Sequence, residues 1–98
     1  MNNNKYAQGK IYKLVNDIDN EIYVGSTTQS LCTRMAGHRR VHKDSLYEMR
    51  LLYKHMNKYG IEHFKIILIE EHPCENKQQL QAREEFWRKE LNATLNAI

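Results

Sequence analysis

The chain has 98 residues, 41% apolar and 28% charged, enough for one globular domain with no room for a second independent core. Cys32 and Cys74 stand far apart and form no C-x-x-C pair, which argues against a zinc site or disulfide framework and for a reducing compartment. The start, MNNNKYAQGK, lacks the apolar core of a signal peptide, and no stretch is long enough to cross a bilayer. A soluble, intracellular protein with no membrane partner is expected, in cytoplasm or nucleus.

The net charge of +3 is unevenly spread. Residues 1–60 carry ten Lys and Arg against five Asp and Glu, whereas residues 61–98 carry five against seven. The run from Arg34 to Lys43 contains Arg34, His38, Arg39, Arg40, His42 and Lys43 with no acid among them. Such a run suits a phosphate backbone, and it equally suits a solvated basic helix face.

In chain order, residues 1–8 read as a short polar extension preceding a domain over residues 9–96. GKIYKLV (9–15) and EIYVG (21–25) are β-branched and aromatic runs separated by the turn-rich NDIDN, so they predict an antiparallel hairpin. Tyr12 and Leu14 share one face and Ile11 and Val15 the other, so at least one face must be covered by helices. Ser26, Thr27 and Thr28 are placed to cap a first helix continued by Leu31, Met35 and His38 to about Lys43. Ser45-Leu46-Tyr47-Glu48 has the form of a capping box for a second helix, carried by Met49, Leu52, Met56 and Tyr59 and closed by Gly60.

Residues 64–69, FKIILI, predict a central strand covered on both faces. Pro73 ends that segment. Asn76 with Gln79 caps a third helix whose stripe is Leu80, Trp87 and Leu91. Phe64, Phe86 and Trp87 are expected to matter disproportionately in so small a core. The fold class is α+β, a small three-stranded antiparallel sheet flanked by helices in the order ββααβα.

Glu84 lies four residues after Leu80 and three before Trp87, on the stripe that should face the core. A carboxylate there must pair with a cation, bind a proton or hold a metal, and Arg88 at i+4 is the plain partner. Arg34 and His38 are one helical turn apart and share a face; Arg grips phosphate bidentately, and His transfers protons or binds phosphate. A tyrosine on each of two paired strands is unremarkable by itself.

The joint spacing is more telling. G-K-I-Y, then Y-V-G eleven residues on, then S-T-T-x-x-L-x-x-R-x-x-x-H, resembles the GIY-YIG nuclease family, and R-E-E-F-W-R-K-E-L-N is similar to the helix that carries this family's metal-binding glutamate. The resemblance runs from Gly9 to Asn96, and its one departure is Lys10 where the first motif has glycine. It implies a catalytic set of Tyr12, Tyr23, Arg34, His38, Glu84 and Asn96, with Gly25 giving the close turn after Tyr23. Glu84 would be the carboxylate ligand of one Mg²⁺ or Mn²⁺. Arg34 would brace the phosphate and Asn96 support the site, while Lys10, Arg39, Arg40, His42 and Lys43 contact DNA.

The resemblance further implies phosphodiester hydrolysis leaving 5′-phosphate and 3′-hydroxyl ends, as in phage homing endonucleases and stand-alone members from large DNA viruses. A free phenol titrates near ~10, so Tyr12 serves as base at neutral pH only if Arg34 and the metal lower its pKa; His38 is the easier base on intrinsic grounds. No targeting module is expected, so selectivity would come from DNA shape, self-association or a partner protein. The competing readings are a non-catalytic DNA-binding module using the basic helix 30–43, and a protein-interaction domain whose basic face meets an acidic partner.

Overall fold

The computed structural model describes residues 4–41 and 50–96. Three strands, β1 (Lys10–Asn16), β2 (Tyr23–Thr27) and β3 (Phe64–Glu71), form one antiparallel sheet in the order β2-β1-β3. Three helices accompany them, α1 (Leu31–Val41), α2 (Arg50–Tyr59) and α3 (Lys77–Glu90), giving the expected ββααβα order and α+β class.

The hairpin forms because Asn16 organises its own turn: its carboxamide oxygen accepts from the amides of Ile18 and Asp19, and its Nδ2 donates to Asp19 and the Glu21 carbonyl. Alternation along β1 then sends Tyr12 and Leu14 to one face and Ile11 to the other. On the first face Tyr12, Leu14 and Tyr23 pack with Met35, Leu52, Tyr53, Met56, Phe64 and Leu95. On the second, Ile11 and Val24 pack with Leu80, Ala93, Trp87 and Leu91. Helices α1 and α2 therefore cover one side of the sheet and α3 the other.

Three expectations are corrected. Ser26 and Thr27 belong to β2, and the cap of α1 is Ser30, whose hydroxyl accepts from the Thr33 amide at 3.1 Å. Thr27 instead turns the chain after the strand by accepting from the Gln29 amide at 3.0 Å. Residues 64–69 form an edge strand rather than a central one, and Ile67 and Leu68 are 40% and 42% exposed. The physical reason is that β1 takes the middle place while α3 packs chiefly on β2 and β1, leaving part of β3 uncovered. Phe86 is exposed, because it lies off the Leu80–Glu84–Trp87–Leu91 stripe; it packs edge-on against Trp87 and under the Arg83 guanidinium.

The cap of α3 is as predicted, with Asn76 accepting from the Gln79 amide at 2.9 Å. Gly60 closes α2 at φ 97°, a backbone state suited to glycine. The capping box at 45–48 and Met49 lie outside the described residues, as does the extension of α1 to Lys43.

Candidate active site

Tyr12 stands on the central strand directly opposite Gly25 of β2, and both tyrosines crowd that position. A β-carbon on Gly25 would lie 2.5 Å from Cζ and Oη of Tyr12 and 2.9 Å from Cε1 of Tyr23. Gly25 is thus needed for close approach inside a strand, not for the turn expected of it; among described glycines only Gly60 has positive φ.

Helix α1 brings Arg34 and His38 onto Tyr12 from the same face, as one-turn spacing requires. Arg34 Nε donates to Tyr12 Oη at 3.2 Å, and His38 Nε2 lies 2.9 Å from the same oxygen. His38 is completely buried, with its ring edge-on to Tyr12, Tyr23 and Tyr53. Its other nitrogen, Nδ1, meets the Tyr53 hydroxyl at 3.2 Å.

Glu84 arises from the helix on the far side of the sheet and meets the outer strand β2, where Ser26 Oγ donates to Glu84 Oε1 at 2.6 Å. There its charge acts on both phenols, and Arg34 acts on it in return. Arg88, the plain partner by spacing, pairs with Glu85 instead. Asn96, in a short 3-10 turn after α3, accepts from the Val24 amide at 2.8 Å and donates to the Val24 carbonyl at 2.7 Å. It therefore completes the outer edge of β2 beside Tyr23 and Gly25 and touches neither phenol by hydrogen bond.

Burial governs protonation. Tyr12 is pushed up to about 12, mainly by loss of solvent, with Arg34 only partly offsetting it, so Arg34 alone does not meet the condition set for Tyr12 as a base at neutral pH. Tyr23 is raised by the same cause. His38 is pushed down to about 3 by burial and by the Arg34 charge. At neutral pH the phenols keep their protons and His38 is uncharged. The Glu84 carboxyl is raised by burial, partly offset by Ser26.

Beside this cluster lies an open groove of about 630 Å³ lined by Lys5, Ser26, Arg34 and Lys77 among others, and none of the described residues in its wall is a carboxylate. Among the predicted DNA contacts, Arg39 and Arg40 are exposed in the last turn of α1, and Lys10 opens β1 with its ammonium on the Gln8 carbonyl. His42 and Lys43 lie outside the described residues. Sequence reading did not single out Tyr53, Lys5 or Lys77, and it gave Ser26 a capping role only. The signal for Tyr53 was its place on the apolar side of α2, one helical turn before Met56.

Glu84 does not itself line that groove but is bonded to Ser26, which does, and its partly shielded carboxylate and the neighbouring hydroxyl are oxygen donors of the kind a hard divalent cation takes. Among the described residues a separate group, Asp19, Glu21 and His55, also brings candidate ligand atoms within 4.8 Å of one another. Its His55 Nε2 is bonded to Asp19 at 2.8 Å, an arrangement that pins the hairpin turn to α2.

A buried histidine and an arginine thus converge on one tyrosine, and the last helix of a small α+β scaffold brings a carboxylate to the adjoining strand. Residues 8–96 match the GIY-YIG catalytic domain, and the chain belongs to that family. It superposes on the solved structure of the catalytic domain of homing endonuclease I-TevI with a TM-score of 0.74 at 30% identity, covering 91% of this chain and 94% of that one. In sequence it is 30% identical over 92% of its length to Uncharacterized protein 019R of Invertebrate iridescent virus 6. It is also 34% identical over 88% of its length to Intron-associated endonuclease 1 of Enterobacteria phage T4. The chain spans about a third of the length of these curated relatives, 32% and 34%. No helix among the described residues is long and apolar enough to cross a membrane.

Proposed function

We propose that this chain is a metal-dependent DNA endonuclease whose catalytic unit is residues 9–96. The observation that carries the reading is that Arg34 and His38 both bond Tyr12 Oη while Ser26 fixes Glu84 near enough for its charge to act on that phenol.

Phosphodiester hydrolysis needs an in-line water, a counter-charge for the phosphorane and support for the departing 3′ oxygen. Arg34 braces a non-bridging oxygen of the scissile phosphate, its guanidinium already lining the groove. Tyr12, with Tyr23 beside it, orients the attacking water. As that water bonds to phosphorus, its proton passes to Tyr12 Oη while Tyr12 gives its own to His38 Nε2 along the 2.9 Å hydrogen bond. Burial, the larger cause holding His38 down, persists, but the part due to the Arg34 charge is offset once an anionic phosphate sits on Arg34, so the imidazole becomes a somewhat better acceptor when substrate is bound. Glu84, with Ser26 behind it, holds one Mg²⁺ or Mn²⁺. When bound, the cation supplies Lewis-acid stabilisation to the phosphate and leaving oxygen. The bond from phosphorus to the 3′ oxygen breaks as the water adds, the 3′ oxygen takes a proton from solvent and His38 later returns its proton to solvent, so the products are a 5′-phosphate and a 3′-hydroxyl.

Lys5, Lys77, Arg39, Arg40 and Lys10 steer the DNA backbone without reading sequence, and selectivity comes from DNA shape, self-association or a partner protein. The test is incubation of supercoiled plasmid with the protein and Mg²⁺, with and without excess EDTA. Nicked circles bearing 5′-phosphate ends are expected only without chelator. Equal nicking in both arms overturns the metal-dependent reading, and DNA binding without cleavage in either arm overturns the nuclease reading.

A further inference from the structure

Tyr53 lies on α2, 1% exposed, in a position that neither the motif spacing nor the basic run draws attention to. Its hydroxyl is 3.2 Å from His38 Nδ1, and His38 Nε2 is 2.9 Å from Tyr12 Oη. Donor and acceptor capacity decides how the protons in this chain of groups are arranged.

Arg34 carries only donors, so its 3.2 Å bond to Tyr12 must be one in which the phenol oxygen accepts. Tyr12 is fully buried and protonated, and its O–H needs an acceptor. His38 Nε2 is placed to be that acceptor, and only a nitrogen without hydrogen can fill the part. A neutral imidazole bears one hydrogen, so it must sit on Nδ1, where it meets the Tyr53 oxygen.

We infer that Tyr53 is a positioning residue, whose hydroxyl oxygen accepts the Nδ1 hydrogen of His38 and so holds the imidazole as the Nδ1–H tautomer with its Nε2 lone pair on Tyr12. The inference rests on the proposed nuclease reading for its consequence, since only there does Nε2 receive a proton from Tyr12. Its structural content stands apart from that reading. Burial keeps His38 uncharged to well below neutral pH, so the tautomer is defined under working conditions. In this arrangement Tyr53 touches no substrate. It fixes which nitrogen is free, and it stabilises the imidazolium formed when Nε2 accepts a proton, because Nδ1–H then donates from a charged ring.

The test has two arms on the full chain. In the first, long-range ¹H–¹⁵N correlation spectra at neutral pH report His38, assigned by the signal lost in His38→Gln. In the unsubstituted protein Nδ1 should show the pyrrole-like shift of a nitrogen bearing hydrogen and Nε2 the pyridine-like shift of a bare one. In Tyr53→Phe the Nδ1 hydrogen is left without its acceptor and only Tyr12 still favours a bare Nε2, so the two shifts should move part of the way toward the average of exchanging tautomers. In the second arm, Tyr53→Phe should lower the kcat of plasmid nicking by about tenfold, as expected for one lost hydrogen bond in the transition state, with KM little changed.

A hydrogen on Nε2 in the unsubstituted protein overturns the inference, whatever the activity. So does a Tyr53→Phe variant that keeps both the tautomer and kcat. If the unsubstituted protein shows the Nδ1–H tautomer and Tyr53→Phe loses it, yet neither cleaves DNA, the nuclease reading fails and Tyr53's hold on the tautomer stands.

Discussion

Ser26 donates its hydroxyl to Glu84 across 2.6 Å, and this bond joins the outer strand of the hairpin to the helix on the far side of the sheet. The carboxylate is half-buried and raised by burial, with Ser26 acting in the opposite sense. A hydroxyl that orients a metal-binding carboxylate tunes affinity without being a principal ligand. Ser26→Ala should therefore raise the Mg²⁺ concentration for half-maximal nicking about tenfold, with near-normal rate at saturating metal. A Mg²⁺ titration of plasmid nicking checks this; an unchanged midpoint would show that the bond is only structural.

The burial of His38 makes stability depend on pH in a definite direction. Its folded pKa is about 3 and its unfolded value near ~6.5, so between these values the unfolded chain binds more protons. Stability is then complete above the unfolded value and falls as pH drops through the window, with a slope approaching about 1.4 kcal/mol per pH unit from this group alone. Carboxylates lowered by pairing, such as Glu70 under Arg83 and Trp87, fall away in the same direction. Urea unfolding of the unsubstituted protein and His38→Gln between roughly pH 4 and pH 7 isolates the histidine. The variant should lose the steeper part of the acid limb.

Gly25 can be examined by adding a single methyl group. The β-carbon of Gly25→Ala falls on the Tyr12 ring and hydroxyl, and both tyrosines are held by surrounding side chains. Overpacking of this kind costs about 1–3 kcal/mol, read as a lower urea midpoint. Nicking should fall further than stability accounts for, because Tyr12 Oη must leave Arg34 and His38 to make room. Retained activity in Gly25→Ala would argue that the Tyr12 geometry is not the working one.

Asn96 differs from the other predicted site residues because its partners are backbone. Two bonds to Val24 complete the edge of β2, and the neighbouring Leu95 amide adds a third to the Ile22 carbonyl. Asn96→Ala leaves the Val24 amide and carbonyl without those partners and should destabilise the fold by about 1–3 kcal/mol. Activity well below the melting temperature should be reduced less than by loss of Arg34. Thermal melting and low-temperature nicking of the same preparation separate the two effects.

Local signals made the element order legible. The hairpin, the Asn76 cap and the Gly60 stop all depend on residues within a few positions of one another, and each stands where expected. The central place of β1 was not legible, because FKIILI reads as inner strand wherever it sits, and only the helix packing determines which strand is sandwiched. One-turn spacing put Arg34 and His38 on one helix face, and the resemblance to the nuclease family, rather than periodicity, implied that they meet Tyr12. The second layer of partners did not follow, since Tyr53 and Ser26 touch His38 and Glu84 across separations of 15 and 58 residues. Pattern within an element carries no information on such contacts. The direction of the phenol pKa was not legible for a related reason: the sequence displays the Arg34 charge but not the depth at which Tyr12 is buried.

The account stands on Glu84 as the single carboxylate that brings metal to the tyrosine and arginine cluster. The most direct measurement compares Glu84→Ala with the unsubstituted protein in Mg²⁺-dependent nicking of supercoiled plasmid, with circular dichroism and DNA-binding titrations on the same samples. Nicking should fall by about a thousandfold or more, the several kcal/mol a bound cation supplies, while helical signal and DNA affinity are kept. A folded Glu84→Ala protein that nicks plasmid at the original rate would contradict the account.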